Sequence, residues 1–393
     1  MSRWRTPRLA VAAMFLLNGG LFGVWASRIP SVQRDLALSA GELGLLLLGL
    51  AGGAIVAFPV AGFLSDRYGS APVTKLIALF YGPSLILIGL SDGVVSVAIA
   101  LVLFGAAHGA MDVAMNSWGA EVERQLGRPI MSSLHAMFSL GAGVGAASGV
   151  LAVAWGLDRT PHFVVFTLLA AMPLLWIGNI GWQLDRVNDH AGRLTFAIPK
   201  GALLVVGVVA FCASLGEGAM ADWSAVYLVS VVEATESEAA AGYTVFSITM
   251  VVMRLLGDRI ILMLGEIAAG RLAGIVAAIG VGTALVGGTF STACLGFAVM
   301  GIGYAVIMPL AFSRAANDGR QNPGIAVAGV ATFGYGGFLL GPVVIGTLAE
   351  LATLKIAFGL LALLAIVVAI AATALAKPAP RREPSEAAAV VTD

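Results

Sequence analysis

Apolar residues form long unbroken stretches along the chain, and short polar segments separate one stretch from the next. The stretches are about 17–25 residues long, which is the length of a helix that crosses a bilayer, and they lack the alternation of a transmembrane strand. The pattern therefore predicts an all-α membrane protein with twelve transmembrane helices. We number these predicted spans 1 to 12, and they cover residues 8–27, 43–64, 74–90, 94–118, 130–155, 163–183, 201–221, 241–257, 272–290, 293–314, 325–349 and 356–376.

The second half of the chain repeats features of the first half. An Asp-Arg pair follows span 2 as Asp66-Arg67, and a second pair follows span 8 as Asp258-Arg259. The two pairs lie 192 residues apart (258 − 66), close to half the chain, which indicates two parallel repeats of six spans. We expect an N-terminal six-helix bundle, a cytoplasmic linker, a C-terminal six-helix bundle and a disordered polar tail, at residues 1–183, 184–200, 201–376 and 377–393.

The composition excludes an ordinary soluble protein. Hydrophobic residues make up 59% of the chain and charged residues only 11%, whereas about a quarter of a soluble domain is charged. The formal net charge is zero, so the sequence gives no sign of a nucleic-acid partner. The two cysteines, Cys212 and Cys294, both lie in apolar segments and suggest neither a disulfide framework nor a metal site. We expect a monomer whose surroundings are the lipid bilayer.

The lysines and arginines indicate the orientation in the membrane. If the N-terminus lies inside, the inside segments hold 18 of the 22 basic residues, and only Arg28, Arg34, Arg159 and Lys355 lie outside. Cytoplasmic loops carry such an excess of basic residues, so both termini are predicted to be cytoplasmic. We expect a multi-pass protein of the bacterial inner membrane.

Polar and ionisable side chains inside the spans are functional candidates, because hydrocarbon disfavours their charged forms. His108, Asp112 and Asn116 recur every four residues in span 4 and therefore share one helix face. Asn18 lies in span 1 and His135 in span 5. These side chains either bind a solute and protons or form a hydrogen-bonded network that only joins the helices.

Glu217 lies inside span 7 between Gly216 and Gly218. The two glycines are expected to loosen the helix and to leave space beside the carboxylate. A carboxyl group among apolar residues is suited to reversible protonation, so Glu217 is a candidate for proton coupling or solute contact. The alternative is a carboxylate held by a donor from a neighbouring helix. Trp25 and Trp223, near the outer ends of spans 1 and 7, either anchor the protein at the membrane interface or form an aromatic rim for a sugar-like ligand.

Small residues recur at four-residue spacing in two spans, which places them on one face of each helix. We expect these faces to be helix contacts rather than ligand contacts, because small residues let two backbones approach closely. The residues are Gly49, Gly53, Ala57 and Ala61 in span 2, and Gly141, Gly145 and Gly149 in span 5.

The segment between spans 2 and 3 reads Gly-Phe-Leu-Ser-Asp-Arg-Tyr-Gly, from Gly62 to Gly69. It resembles the signature loop of the major facilitator superfamily, and Asp258-Arg259 resembles the degenerate second copy of that loop. The resemblance covers residues 8–376. Met115-Asn116, Gly127-Arg128-Pro129 and residues 135–139 are similar to bacterial inner-membrane permeases distantly related to fucose-permease-type sugar:proton symporters.

The resemblance implies a secondary active transporter of a small polar solute, coupled to protons and working by alternating access. It implies a midplane site lined by spans 1, 4, 5, 7, 10 and 11, and contacts of spans 2 and 5 with spans 11 and 8. It also implies a conformational latch on the cytoplasmic side, in which Arg124 or Arg128 faces the signature loop. The latch residues are Gly62, Asp66, Arg67, Gly69, Asp258 and Arg259.

Two alternatives and one exclusion complete the prediction. A drug or metabolite efflux antiporter is one alternative, although span 5 lacks the proline that drug:proton antiporters of the superfamily carry there. A transporter-fold sensor that binds a ligand without moving it is the other. The chain has no phosphate-binding Gly-rich loop followed by Lys, which excludes ATP-driven transport as far as motifs allow. We expect no enzymatic activity, no cofactor and no metal.

Overall fold

The computed structural model describes residues 6–127, 130–180, 201–318 and 323–376. Within these residues twelve helical segments are long and apolar enough to cross a membrane. The helices are α1 (Pro7–Asp35), α2 (Ala40–Tyr68), α3 (Ser70–Gly89), α4 (Val94–Leu126), α5 (Met131–Ala154), α6 (Arg159–Gly178), α7 (Ala202–Val232), α8 (Glu236–Ala239), α9 (Ala241–Leu264), α10 (Glu266–Gly287), α11 (Phe290–Tyr304), α12 (Ile307–Ala316), α13 (Pro323–Leu351) and α14 (Leu354–Ala371).

The predicted spans match these helices in number and order, with two irregularities. A four-residue helix, α8, precedes α9 and lies just before predicted span 8. Span 10 is broken into α11 and α12, between Tyr304 and Ile307. The linker 184–200, the tail 377–393 and Arg128 lie outside the described residues, so their predictions stand as predictions.

Helices α1, α4 and α7 run about two to three turns beyond the spans predicted from hydropathy. Span 1 was expected to end at residue 27, but α1 continues to Asp35 and buries Arg28 and Ser31 in its last part. A hydropathy window ends at the first charges, whereas a helix continues wherever its side chains find partners. Helix α2 begins at Ala40, three residues before predicted span 2, and Ser39 and Glu42 form a capping box there.

The two halves of the chain use the same helix pairings. In the first half α1 packs on α5, α2 on α4, and α3 on α6. In the second half α7 packs on α13, α9 on α11, and α10 on α14, which are the corresponding pairs of the repeat. The helix pairings of the first half therefore recur in the second half, in the same order along the chain.

The glycines of the small-residue faces pack mainly on helices of the same half, although α2 and α5 also contact α13 and α9, as the resemblance implied. A Cβ on Gly53 would lie 2.2 Å from the carbonyl oxygen of Val102 on α4. A Cβ on Gly145 would lie 2.1 Å from the carbonyl oxygen of Gly20 on α1. The contact of α2 with α13 instead uses Gly44, whose Cβ would meet the carbonyl oxygen of Pro342 at 2.8 Å. Only backbones without side chains between them approach this closely.

The two halves are joined at one end of the bundle. We call the end where α1 begins the arginine-rich end and the opposite end the far end. At the far end Arg34 pairs with Glu236 of α8, and the Ser237 hydroxyl donates to the Val150 carbonyl at 3.1 Å. The Gly41 amide donates to Glu350 of α13 at 3.1 Å. We call these three contacts the far-end closure.

Candidate functional site

The polar side chains singled out in the spans lie near the middle of their helices. Glu217 is the sixteenth of 31 residues of α7, and Asp112 the nineteenth of 33 residues of α4. Arg254 is the fourteenth of 24 residues of α9. Helices from both halves therefore present polar groups at the same depth, between the two bundles.

The carboxylate of Glu217 is held by Arg254. One guanidinium nitrogen, Nη2, donates to both carboxylate oxygens, at 3.0 Å and 3.2 Å. The other terminal nitrogen, Nη1, donates to the hydroxyl of Ser139 on α5 at 2.6 Å. The Ser139 bond joins the two halves at mid-depth. In this conformation a neighbouring helix supplies the donor to Glu217, which is the second of the two interpretations given for this residue.

The glycines beside Glu217 make room for neighbouring side chains. A Cβ on Gly216 would lie 2.3 Å from the ring and hydroxyl of Tyr304 on α11. A Cβ on Gly218 would lie 3.0 Å from the Phe338 ring on α13. The expectation of open space beside the carboxylate is therefore wrong, because aromatic rings fill that space.

Asp112 forms the second contact between the halves at mid-depth. Its carboxylate accepts a hydrogen bond from the Asn116 amide at 3.1 Å, one turn along the same helix. Tyr335 on α13 donates its hydroxyl to the other carboxylate oxygen at 3.4 Å. The Tyr335 ring also packs on Phe58, with centroids 5.0 Å apart. Asp112 is thus half-buried and faces the opposite bundle.

His108 belongs to a separate cluster in the first half. Its Nδ1 lies 2.8 Å from the Tyr81 hydroxyl and 2.9 Å from the side-chain oxygen of Asn18. The imidazole stacks on Phe22, with centroids 4.9 Å apart. The predicted stripe on span 4 is therefore divided, since His108 turns toward α1 and α3 while Asp112 and Asn116 turn toward α13.

The remaining candidates fall into different environments. The His135 side chain is exposed and packs edge-on against Phe15 at 5.4 Å. Trp25 and Trp223 are both completely buried between helices. An interfacial anchor requires a partly exposed ring, so that interpretation of the two tryptophans is wrong. Contact of the Trp25 and Trp223 indole rings with a solute stays a prediction.

The latch residues lie at the arginine-rich end. Gly69 has a φ of +96° and separates α2 from α3, a backbone conformation that favours glycine. Arg67 is exposed and lies over the Tyr68 ring at 5.4 Å. Gly62 and Arg259 lie on α2 and α9, whereas the side chains of Asp66 and Asp258 lie outside the described residues. Their role as a latch stays a prediction.

Two residues of the mid-depth contacts were missed by sequence reasoning. Arg254 is counted with the inside basic residues in the sequence analysis, although it lies within predicted span 8. Tyr335 lies in an apolar span where a tyrosine carries no charge signal. The available signal for Arg254 was its position before Gly257, inside the stretch of span 8 that is long enough to cross the membrane.

Comparisons with known proteins agree on one family. A sequence profile described as Major Facilitator Superfamily matches residues 10–322. The chain is 44% identical over 375 residues to the uncharacterized transporter y4wD of Sinorhizobium fredii, covering 95% of this chain and 100% of that relative. It is 36% identical over 373 residues to an uncharacterized MFS-type transporter of Yersinia pestis, covering 95% and 96%.

Among solved structures, the chain resembles the nucleoside transporter NupG. The superposition has a TM-score of 0.75 and covers 94% of this chain and 100% of that chain. Only 12% of the aligned residues are identical, so the comparison concerns the fold.

Proposed function

The chain belongs to the major facilitator superfamily and is a membrane transporter, and from this premise we propose that it moves a small polar solute together with protons by alternating access. We place it in the bacterial inner membrane with both termini in the cytoplasm, because of its excess of basic residues at one end. A sugar-like solute fits the hydroxyl-binding groups at mid-depth, and the fold neighbour's name, a nucleoside transporter, also denotes a small polar solute.

The observation that carries proton coupling is the Glu217–Arg254 pair. Its side chains are 17% and 13% exposed, so the pair lies inside the bundle yet within reach of water. Protonation of Glu217 removes one charge of the pair and releases the guanidinium, which also holds Ser139 of the other half. A proton on this carboxylate would thus change both the solute site and a contact between the bundles.

The far-end closure supports alternating access. Arg34, Gly41 and Ser237 join the halves at the far end, and the mid-depth contacts lie below them toward the arginine-rich end. With the termini in the cytoplasm, this conformation is closed to the outside. Opening of the far end would then generate the outward-facing conformation.

Paired transport assays in proteoliposomes test the proposal. Wild-type protein is screened with a panel of sugars, sugar acids and nucleosides, and a pH-sensitive dye inside the vesicles records proton entry with each solute. For a solute that responds, Glu217→Gln should keep exchange of labelled solute, because exchange needs no net proton movement. The same variant should lose accumulation driven by a pH gradient, which requires uptake and release of the proton.

The control is Asp92→Asn, whose carboxylate is 98% exposed at the far end and should behave as wild type. If Asp112 carries the proton instead, Asp112→Asn will show exchange without accumulation. Gradient-driven accumulation in both Glu217→Gln and Asp112→Asn would contradict the proposed coupling through either carboxylate. Solute binding without any counterflow would favour the sensor, and solute exit against entering protons would favour the efflux antiporter.

A further inference from the structure

We propose that Arg254 binds the carboxylate of the transported solute, which takes the place of Glu217 on the guanidinium, so that the solute is a small hydroxylated monocarboxylate. This inference rests on the proposed function and names the substrate class of its site. The Glu217–Arg254 ion pair leaves part of the hydrogen-bonding capacity of the guanidinium free for a solute.

The pairing of Glu217 with Arg254 does not use the guanidinium fully. Both carboxylate oxygens accept from the single nitrogen Nη2, while Nη1 donates to the Ser139 hydroxyl. The strongest arrangement of arginine with a carboxylate has two parallel bonds from two nitrogens. A solute carboxylate that approaches the Nη1–Nη2 edge gains that arrangement, and in doing so it displaces a neutral serine hydroxyl and the Glu217 carboxylate.

A second ion pair in the same half shows what a purely structural pair looks like. Arg314 and Asp318 are one turn apart and only 6% and 4% exposed, so no solute reaches them in this conformation. The Glu217–Arg254 pair joins two helices at mid-depth and is two to four times more exposed. Enclosed ion pairs add little to stability, since desolvation offsets their attraction, so stability alone does not account for this pair.

The exchange balances in charge and in protons. In the empty site the Glu217 carboxylate faces the Arg254 cation. When a monocarboxylate binds, Glu217 takes up one proton and becomes neutral, and the solute carboxylate becomes the new partner of the cation. The site contains one positive and one negative charge before and after binding. One proton therefore moves with each monocarboxylate, and no net charge crosses the membrane.

Other groups at the same depth fit the rest of such a solute. Asn116 and Asp112 on α4 and Tyr335 on α13 can donate to or accept from hydroxyl groups. The Phe338 ring beside Gly218 is 39% exposed and offers an apolar face. The hydroxyl groups of such an acid are suited to these polar partners, and its carbon chain is suited to the ring.

Several titratable groups lie around the pair on the helices packed against it. They are His135 on α5, Tyr243 on α9, Asp222 on α7, Tyr304 on α11, and Tyr335 on α13 with its partner Asp112 on α4. The proton that accompanies binding is assigned to Glu217 because it alone among them contacts the Arg254 guanidinium in the described contacts.

The experiment measures binding through thermal unfolding of purified protein in detergent. A thiol-reactive dye reports unfolding through Cys212, which is free and buried, in protein whose partly exposed Cys294 has been replaced by serine. The probes are matched pairs that differ at the carboxylate: D-glucuronate with D-glucose, D-gluconate with D-sorbitol, and nicotinate with nicotinamide. Each is titrated against the wild type, Glu217→Gln and the double variant Glu217→Gln/Arg254→Gln, at pH 5.5, 6.5 and 7.5.

The wild type should be stabilised by at least one hydroxylated acid and not by its neutral partner. Because one proton is taken up per acid bound, the apparent affinity should rise as the pH falls, by up to about tenfold per pH unit. Glu217→Gln should bind the same acid more tightly and with little pH dependence, since it has no carboxylate to displace. The double variant removes both partners of the pair, which leaves no unpaired charge to disturb folding, and it should not bind the acid.

The inference is overturned if no acid stabilises the wild type or Glu217→Gln more than its neutral partner does. It is also overturned if the double variant binds the acid as well as Glu217→Gln does. Failure of the proposed function looks different. If a neutral solute drives proton entry, the proposed function holds and the inference of a carboxylate-bearing solute is wrong. If an acid binds Arg254 but no protons move with it, the proposed proton coupling is wrong.

Discussion

At the scale of single residues, the surroundings of Glu217 depend on the absence of side chains at Gly216 and Gly218, because aromatic rings occupy that space. Gly216 is packed against Tyr304, whose ring fills the space that a side chain would occupy. The Tyr304 ring is itself 1% exposed and has little room to move. The carboxylate is thereby confined to the side of α7 on which Arg254 lies.

Gly216→Ala should consequently destabilise the protein. The new Cβ would lie 2.3 Å from the Tyr304 ring, and overpacking of this kind typically costs about 1–3 kcal/mol. The expected result is a lower unfolding temperature in detergent. Gly282→Ala on α10 is the matched control, because no atom lies within 4 Å of its Cβ position and alanine favours the helix. Equal unfolding temperatures for the two variants would show that the Tyr304 contact is not tight.

The sequence alone was enough to predict those candidate-site residues that are polar and lie in apolar spans. Glu217, Asp112, His108 and Asn18 were identified because charge or amide groups are rare in hydrocarbon. Their partners were not predictable in the same way. Arg254 lies four residues before an Asp-Arg pair, where a charge is expected in a loop, and only the packing of α9 against α7 brings it to mid-depth.

At the scale of helices, the number and order of the spans were predictable, and the resemblance also implied the observed contacts of α2 with α13 and of α5 with α9. The contacts made by the small-residue faces were not predictable. A stretch of about 20 apolar residues specifies a crossing whatever it packs against. The four-residue repeat of glycines specifies a close contact but not its partner, and Gly53 and Gly145 turned out to face α4 and α1. The contacts of the far-end closure could not be predicted from the sequence either, since Arg34 and Glu236 lie about 200 residues apart.

Reversal of charge at the far-end closure should favour the opposite conformation. Arg34→Glu places two carboxylates face to face where Arg34 now pairs with Glu236, and the double variant Arg34→Glu/Glu236→Arg restores the pair. A partly exposed pair contributes about 0–1 kcal/mol, so repulsion in its place should shift the population of closed molecules a few-fold. Spin labels on Asp92→Cys and Leu351→Cys, both exposed at the far end, should report longer distances in the single variant.

The two native cysteines are replaced by serine for this measurement. The double variant is the control and should return the distance distribution to that of the wild type. An unchanged distribution in Arg34→Glu would mean that the Gly41–Glu350 and Ser237–Val150 contacts hold the far end closed without the ion pair.

At the scale of the whole molecule, the contacts between the bundles divide by depth. The far end is closed by Arg34, Gly41 and Ser237, while Ser139 and Tyr335 join the halves at mid-depth through the residues of the candidate site. Binding at mid-depth therefore acts directly on two of the contacts that hold this conformation. A rocking motion needs such a connection, because a ligand shifts an equilibrium only through different contacts in the two states.

The side of the membrane that the far end faces decides which transport step this conformation represents. The excess of basic residues predicts that the arginine-rich end is cytoplasmic. In a variant without native cysteines, Asp92→Cys at the far end should react with a membrane-impermeant maleimide in intact cells. Gln125→Cys, exposed at the arginine-rich end, should react only after the cells are permeabilised. The reverse pattern would place the termini outside, and the far-end closure would then seal the cytoplasmic side of the protein, so that its opening would be the step that exposes the solute site to the cytoplasm.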